Sequence, residues 1–173
     1  DTAMKCRAAI LRTTGAEKPY AKSQPLSIEE IELDPPGPNE VLVKIAGAGV
    51  CHSDLSVING SRARPLPIVL GHEGSGEIVE IGSAITDLKE GDHTVFQFSA
   101  ACGRCVRCLE GRPQNCFTAA TQGGKGELMG GGSRIRDADG NTIGHHSGIS
   151  CMAEYAVMDR GSIIVVDKSV PLA

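Results

Sequence analysis

The 173-residue sequence predicts a mainly β domain with short helices, an α+β arrangement, and three observations carry that reading. The 22 glycines and 9 prolines mark frequent turns rather than long helices. Val-, Ile- and Leu-rich stretches recur along the whole length at strand-like spacing. Aromatic residues make up 3% of the chain and Trp is absent, so the core is built from aliphatic side chains. The length suits one domain with a buried core, and residues 1–173 read as a single unit.

The first expected strand is KCRAAILRT, preceded by Met4 as the natural start and by Asp1, Thr2 and Ala3 as an added leader. LSIEEIELDPP alternates apolar and polar residues, as a half-buried strand does. Pro35, Pro36, Gly37 and Pro38 then force a turn. NEVLVKIAGAGV follows as a strand with Val41, Val43 and Ile45 on one face. After Cys51, SDLSVIN forms a short helix with Ser53 or Asp54 near its cap. ARPLPIVLGHEGSGEIVEIG is strand-like, with glycines that let the backbone bend or pass close to a neighbour. EGDHTVFQFSA adds a strand after a Gly-Asp turn, and MAEYAVMDRGSIIVVDKS supplies two more. Between them lie a cysteine-rich loop and a glycine-rich polar segment from Gly123 to Gly148, with turn signals at Asp137–Asn141.

The net charge is −4 and no Lys/Arg run forms a basic face, which argues against a nucleic-acid partner. No apolar stretch has the length of a membrane span, and no signal-peptide core is visible. A cytoplasmic location is therefore expected. In such a compartment seven cysteines point to metal rather than to disulfides.

Four of the seven form CGRCVRCLEGRPQNC, a C-x2-C-x2-C-x7-C pattern of Cys102, Cys105, Cys108 and Cys116. Four thiolates at such spacing wrap one zinc ion as a tetrahedron and leave no open position, so this site is expected to be structural. Arg104, Arg107 and Arg112 partly offset its negative charge. An iron–sulfur cluster is the alternative, but the C-x3-C-P continuation of ferredoxins is missing. Cys6 and Cys151 stand alone and read as buried free thiols.

Cys51 in GVCHSDL and His72 in LGHEGSGEIVEIG would each be weak alone. Followed by the four-cysteine motif, LMGGGSR and SCMAEYAV, they resemble the zinc-containing medium-chain alcohol dehydrogenases over nearly the whole chain. That resemblance implies a GroES-like fold, a partly open β-barrel. It also implies that Cys51 and His72 are two of three protein ligands to a catalytic zinc, a Cys2His set that leaves the fourth position open to water or substrate. Such a zinc polarises an alcohol oxygen, and hydride passes to NAD or NADP, giving an aldehyde or ketone. By the same resemblance Ser53 takes the alcohol proton, and Ser56 stands where relatives commonly place the next relay histidine. His52 contacts the cofactor pyrophosphate, Asp54 orients the His72 ring, and Glu73 is a carboxylate near the zinc.

Phe98 falls where the family places an aromatic wall of the substrate cleft, with ordinary core as an equal reading. Arg62, with Arg64, favours an anionic or strongly polar substrate, against the simpler reading of a solvated loop arginine. His145 and His146 resemble a structural pair in a β-hairpin, because adjacent residues on an extended segment face opposite ways.

No G-x-G-x-x-G follows a strand and opens a helix: Gly124, Lys125 and Gly126 run on into Glu127. A nucleotide-binding Rossmann domain is thus expected to be absent from this chain, and the family's third catalytic ligand, a Cys, lies past Ala173. With two ligands the catalytic zinc would be weakly held, and the chain inactive alone. A small-molecule alcohol or aldehyde and a homo-oligomeric complete enzyme are the expected partners. The rival readings are a non-enzymatic zinc-binding interaction module and a nucleic-acid zinc knuckle, the latter opposed by acidic charge and scarce aromatics.

Overall fold

A computed structural model describes residues 2–173. Ten strands and four short α-helices follow in chain order. Strands β1 (Met4–Leu11), β2 (Leu26–Leu33), β4 (Ile68–Val69), β7 (Ile135–Arg136) and β8 (Thr142–His145) close into a barrel in the order β1-β2-β7-β8-β4. A second five-stranded sheet has the order β10-β6-β5-β3-β9. Its strands are β3 (Glu40–Ala48), β5 (Gly74–Ile81), β6 (His93–Phe96), β9 (Tyr155–Asp159) and β10 (Ile163–Val166).

The alternation read from the sequence decides which faces are buried. Along β1, Cys6, Ala8 and Ile10 point inward while Lys5 and Arg7 stay outside. Opposite them, Cys6 pairs with Ile31 and Met4 with Leu33 of β2. Together with Leu42, Val69, Leu128, Ile135, Ile143 and Val157 these residues fill one core. Val41, Val43, Ile78, Ala156, Met158 and Ile163 fill a second on the larger sheet. Each fully buried aliphatic side chain stabilises by roughly 1.5–3 kcal/mol, far more than the exposed Lys5–Glu30 pair at 2.9 Å.

Two sequence expectations need correction. The cysteine segment is not a plain loop: it carries α3 (Val106–Leu109), a 3-10 turn at Pro113–Asn115 and α4 (Phe117–Gly124). Two terminal glycines disguise α4, since glycine is about 1 kcal/mol poorer than alanine in a helix. The segment from Gly123 to Gly148 holds the hairpin of β7 and β8. A one-turn helix, α1 (Tyr20–Ser23), was also unexpected.

Helix α2 (His52–Ile58) sits between β3 and β4 and is anchored by burial of Val57 and Ile58 against Leu11, Ile68 and Leu70. This packing fixes the Cys51 end of α2 beside the bend that follows β4. Pairing of β4 with β8 is parallel, Val69 opposite His145. The C-terminal ends of both strands, with His72 and His146 just beyond them, therefore emerge side by side.

Candidate functional site

Two groups of metal-capable side chains occupy different places. In the first, the ligand atoms of Cys102, Cys105, Cys108 and Cys116 all lie within 4.8 Å of one another. Cys105 Sγ is 3.5 Å from Cys108 Sγ and 3.9 Å from Cys116 Sγ. A tetrahedron with zinc–sulfur bonds of about 2.3 Å requires sulfur–sulfur separations of about 3.8 Å, so the donor set fits zinc. The backbone N–H of Cys102 donates to Cys116 Sγ at 3.3 Å, and that of Cys105 to Cys102 Sγ at 3.4 Å. The Thr118 hydroxyl and nearby N–H groups hold the Cys102 thiol down at about 6. Desolvation and the adjacent Cys105 push Cys108 up to about 11. Four crowded thiols cannot all ionise without a cation among them.

The second group is built around α2. Cys51 is its N-cap, and the Cys51 N–H donates to Asp54 Oδ2 at 3.0 Å. Asp54, and not Ser53, therefore does the capping. Freed from that role, Ser53 Oγ lies 3.2 Å from Cys51 Sγ and 3.1 Å from His72 Nε2. Cys51, His72 and Glu73 offer ligand atoms within 4.8 Å of one another, with Glu73 Oε1 3.9 Å from His72 Nε2. The sequence counts two donors here; the geometry adds Glu73 as a third. A soft thiolate, an imidazole and a carboxylate suit zinc, so this donor set fits as well.

His72 is held from behind. Gly71 has φ +90°, and a Cβ there would meet Met152 N at 2.7 Å and Cys151 Sγ at 2.9 Å, so glycine is required. Gly71 N donates to Asp54 Oδ1 at 3.1 Å. The same oxygen lies 3.3 Å from His72 Nδ1 and 3.0 Å from His146 Nδ1. Asp54 is fully buried, and burial alone would raise its pKa. The nearby His146 ring, two N–H donors and His72 outweigh that and hold it at about 2.

His146 is the residue that sequence reasoning missed. It faces away from His145 as expected, but it stands edge-on to His72 with ring centres 5.1 Å apart. Ser150 ties its backbone down, accepting from His146 N and donating to the Val69 carbonyl. His145 has a structural role: its Nε2 accepts from Arg134 N at 3.2 Å, and burial keeps the ring neutral.

Phe98 is 60% exposed, which removes the core reading, and its ring is edge-on to His72 at 5.7 Å. Arg62 and Phe98 line one cavity of about 720 Å³. His52, at the first turn of α2, is exposed, and its carbonyl accepts from the Ser56 hydroxyl. Cys6 and Cys151 are buried and free, and burial pushes the Cys151 thiol up to about 12, which leaves it inert. Among the described residues no helix is long and apolar enough to cross a membrane.

Fold and site together define a β-barrel domain that carries two separate groups of metal-capable side chains, one of four cysteines and one of mixed donors. Residues 37–168 match the model of the alcohol dehydrogenase GroES-like domain, and the chain belongs to that family. It is 36% identical over 170 residues to S-(hydroxymethyl)glutathione dehydrogenase of Saccharomyces cerevisiae, covering 98% of this chain and 42% of the relative. Among solved structures, an alcohol dehydrogenase zinc-binding domain protein from Burkholderia ambifaria superposes with a TM-score of 0.87 at 34% identity. That match covers 98% of this chain and 44% of the other. Benzyl alcohol dehydrogenase from Acinetobacter calcoaceticus gives 0.79 at 32% identity, over 98% of this chain and 43% of the other. The chain thus spans less than half the length of the relatives it matches.

Proposed function

We propose that residues 1–173 act as the catalytic domain of a zinc-dependent dehydrogenase that oxidises an alcohol to an aldehyde or ketone with NAD or NADP. The observation that carries this reading is Ser53 Oγ, within hydrogen-bond distance of both Cys51 Sγ and His72 Nε2. A hydroxyl held between two candidate metal ligands lies where an alcohol reaching that metal would have to give up its proton.

Zinc on Cys51 and His72, with Glu73 beside them, would supply Lewis acidity that makes the alcohol proton easier to remove. The other tasks fall to the chain. Ser53 accepts the proton and passes it outward, with water in place of the relay histidine because position 56 is a serine. Asp54 fixes the His72 ring and the start of α2 together, so the two ligands keep their spacing. His52, exposed at the helix start, meets the cofactor pyrophosphate. Phe98 forms an apolar wall for the substrate. The complete enzyme works in the cytoplasm as a homo-oligomer on small-molecule substrates. The four-sulfur centre stays out of the chemistry, because all four zinc positions are taken by protein.

The test joins this chain to the domain that supplies the nicotinamide and follows NAD(P)H formation from a primary alcohol. Cys51→Ala should abolish turnover while the four-sulfur zinc is retained. Undiminished activity in Cys51→Ala would overturn the reading.

A further inference from the structure

The cavity beside Phe98 has an unusual charge. Four arginines line it: Arg62 and Arg64 from the loop after α2, and Arg107 and Arg112 from the cysteine segment. They are separated by more than forty residues of sequence and meet only in the fold. Arg107 pairs with Glu110 at 3.0 Å and lies over the Phe117 ring at 5.3 Å. Among the described residues Arg62, Arg64 and Arg112 make no ion pair.

Arg64 is the most informative of the three. Its Nε is buried and has no acceptor, and a guanidinium N–H out of water without a partner is costly. Burial and the neighbouring Arg62 both push its pKa down, so its charge is held against desolvation and like-charge repulsion. Two carboxylates face the same cavity, Glu127 and Asp159. Asp159 already accepts from Met129 N, and among the described residues neither it nor Glu127 forms an ion pair with these arginines. A solvated surface arginine explains Arg62 alone. It does not explain a half-buried Arg64 whose Nε is out of water without an acceptor, on the wall of the same cavity as Phe98 and two further arginines.

We propose that this cleft binds a carboxylate carried by the substrate, so that the enzyme acts on alcohols or aldehydes bearing an anionic group at the far end from the reacting carbon. Guanidinium forks match a carboxylate in two parallel hydrogen bonds, which a neutral polar group cannot reproduce. Phe98 belongs both to this cavity and to the surroundings of His72, so a flat apolar body would lie along it with its anion toward Arg64. The proposal rests on Cys51 and His72 being the reacting centre; it adds the substrate class.

The test compares 4-(hydroxymethyl)benzoate with 4-methylbenzyl alcohol, which has the same outline without the charge, by NMR titration of the 173-residue chain. The benzoate should bind at least tenfold more tightly. Salt should erode the preference, and Arg62→Ala/Arg64→Ala should remove it in a chain whose unfolding midpoint shows it is folded. Arg7→Ala, at the exposed Arg7–Glu154 pair outside this cavity, should leave it intact. Equal binding of the two probes, failure of the benzoate to bind at millimolar concentration, or a preference that survives in the double variant would overturn the cleft. The readout is binding, so the two ideas fail separately. A charge preference in a joined enzyme that never turns over would sink the dehydrogenase reading and support the cleft; equal binding in an active enzyme would do the reverse.

Discussion

Ser53 Oγ stands 3.1 Å from Nε2 of His72, nineteen residues away in sequence, and the contact exists because α2 and the bend after β4 pack on the same aliphatic cluster. Ser53→Ala should keep metal affinity, since no proposed ligand is lost. Turnover of the joined enzyme should fall by roughly 10²–10⁴, the usual worth of a positioned proton acceptor. Ser53→Thr should restore most of it. An alanine variant with unchanged kcat would remove Ser53 from the proton path.

Asp54 Oδ1 is shared by two imidazoles, and His146 is the nearer. His146→Phe preserves an edge-on ring beside His72 but takes away the nitrogen facing Asp54. Affinity of the Cys51–His72 centre for zinc should drop by about 10- to 100-fold, and the visible spectrum of the cobalt form should shift. Unchanged affinity and spectrum would reduce His146 to packing.

Gly71→Ala should destabilise the chain by at least about 2 kcal/mol, because the left-handed backbone and the contact with Met152 N both oppose a Cβ. Gly132→Ala is the control. It also has positive φ, but nothing lies within 4 Å, so its cost should be near 1 kcal/mol. Equal urea midpoints for the two variants would show that the close approach at Gly71 has no energetic weight.

Asp159 gives a pH dependence whose sign follows from its raised pKa. Burial lifts it from 3.8 to about 6, so between those values the folded chain binds more protons than the unfolded one. Its contribution therefore falls as pH rises from about 4 to 6, by about 3 kcal/mol if the full shift is expressed. Asp159→Asn can still accept from Met129 N, and its stability should be flatter over that range. Identical slopes in urea unfolding from pH 4 to 7 would contradict this assignment.

The strands were legible because their chemistry is local. Alternation in LSIEEIEL and the aliphatic run around Val41 and Val43 specify half-buried and buried β segments without reference to anything distant. The four-cysteine cluster was legible for the same reason, its four thiols lying within fifteen consecutive residues. His146 was not. Its relation to His72 depends on the parallel register of two very short strands, and no periodicity announces a two-residue β4. Glu73 as a donor depends on the turn after Gly71, and the arginine cleft on how the cysteine segment folds back toward α2. Nothing in the spacing of Arg62 and Arg112 encodes that meeting.

The four-sulfur centre should be a self-sufficient scaffold site, separate from the Cys51–His72 centre. Metal analysis of the 173-residue chain after passage over a chelating resin tests it most directly. The wild type and Cys51→Ser should each retain about one zinc per chain, and Cys105→Ser about none. A folded wild-type chain without zinc, tightly held iron in its place, or loss of the retained zinc in Cys51→Ser would contradict the claim.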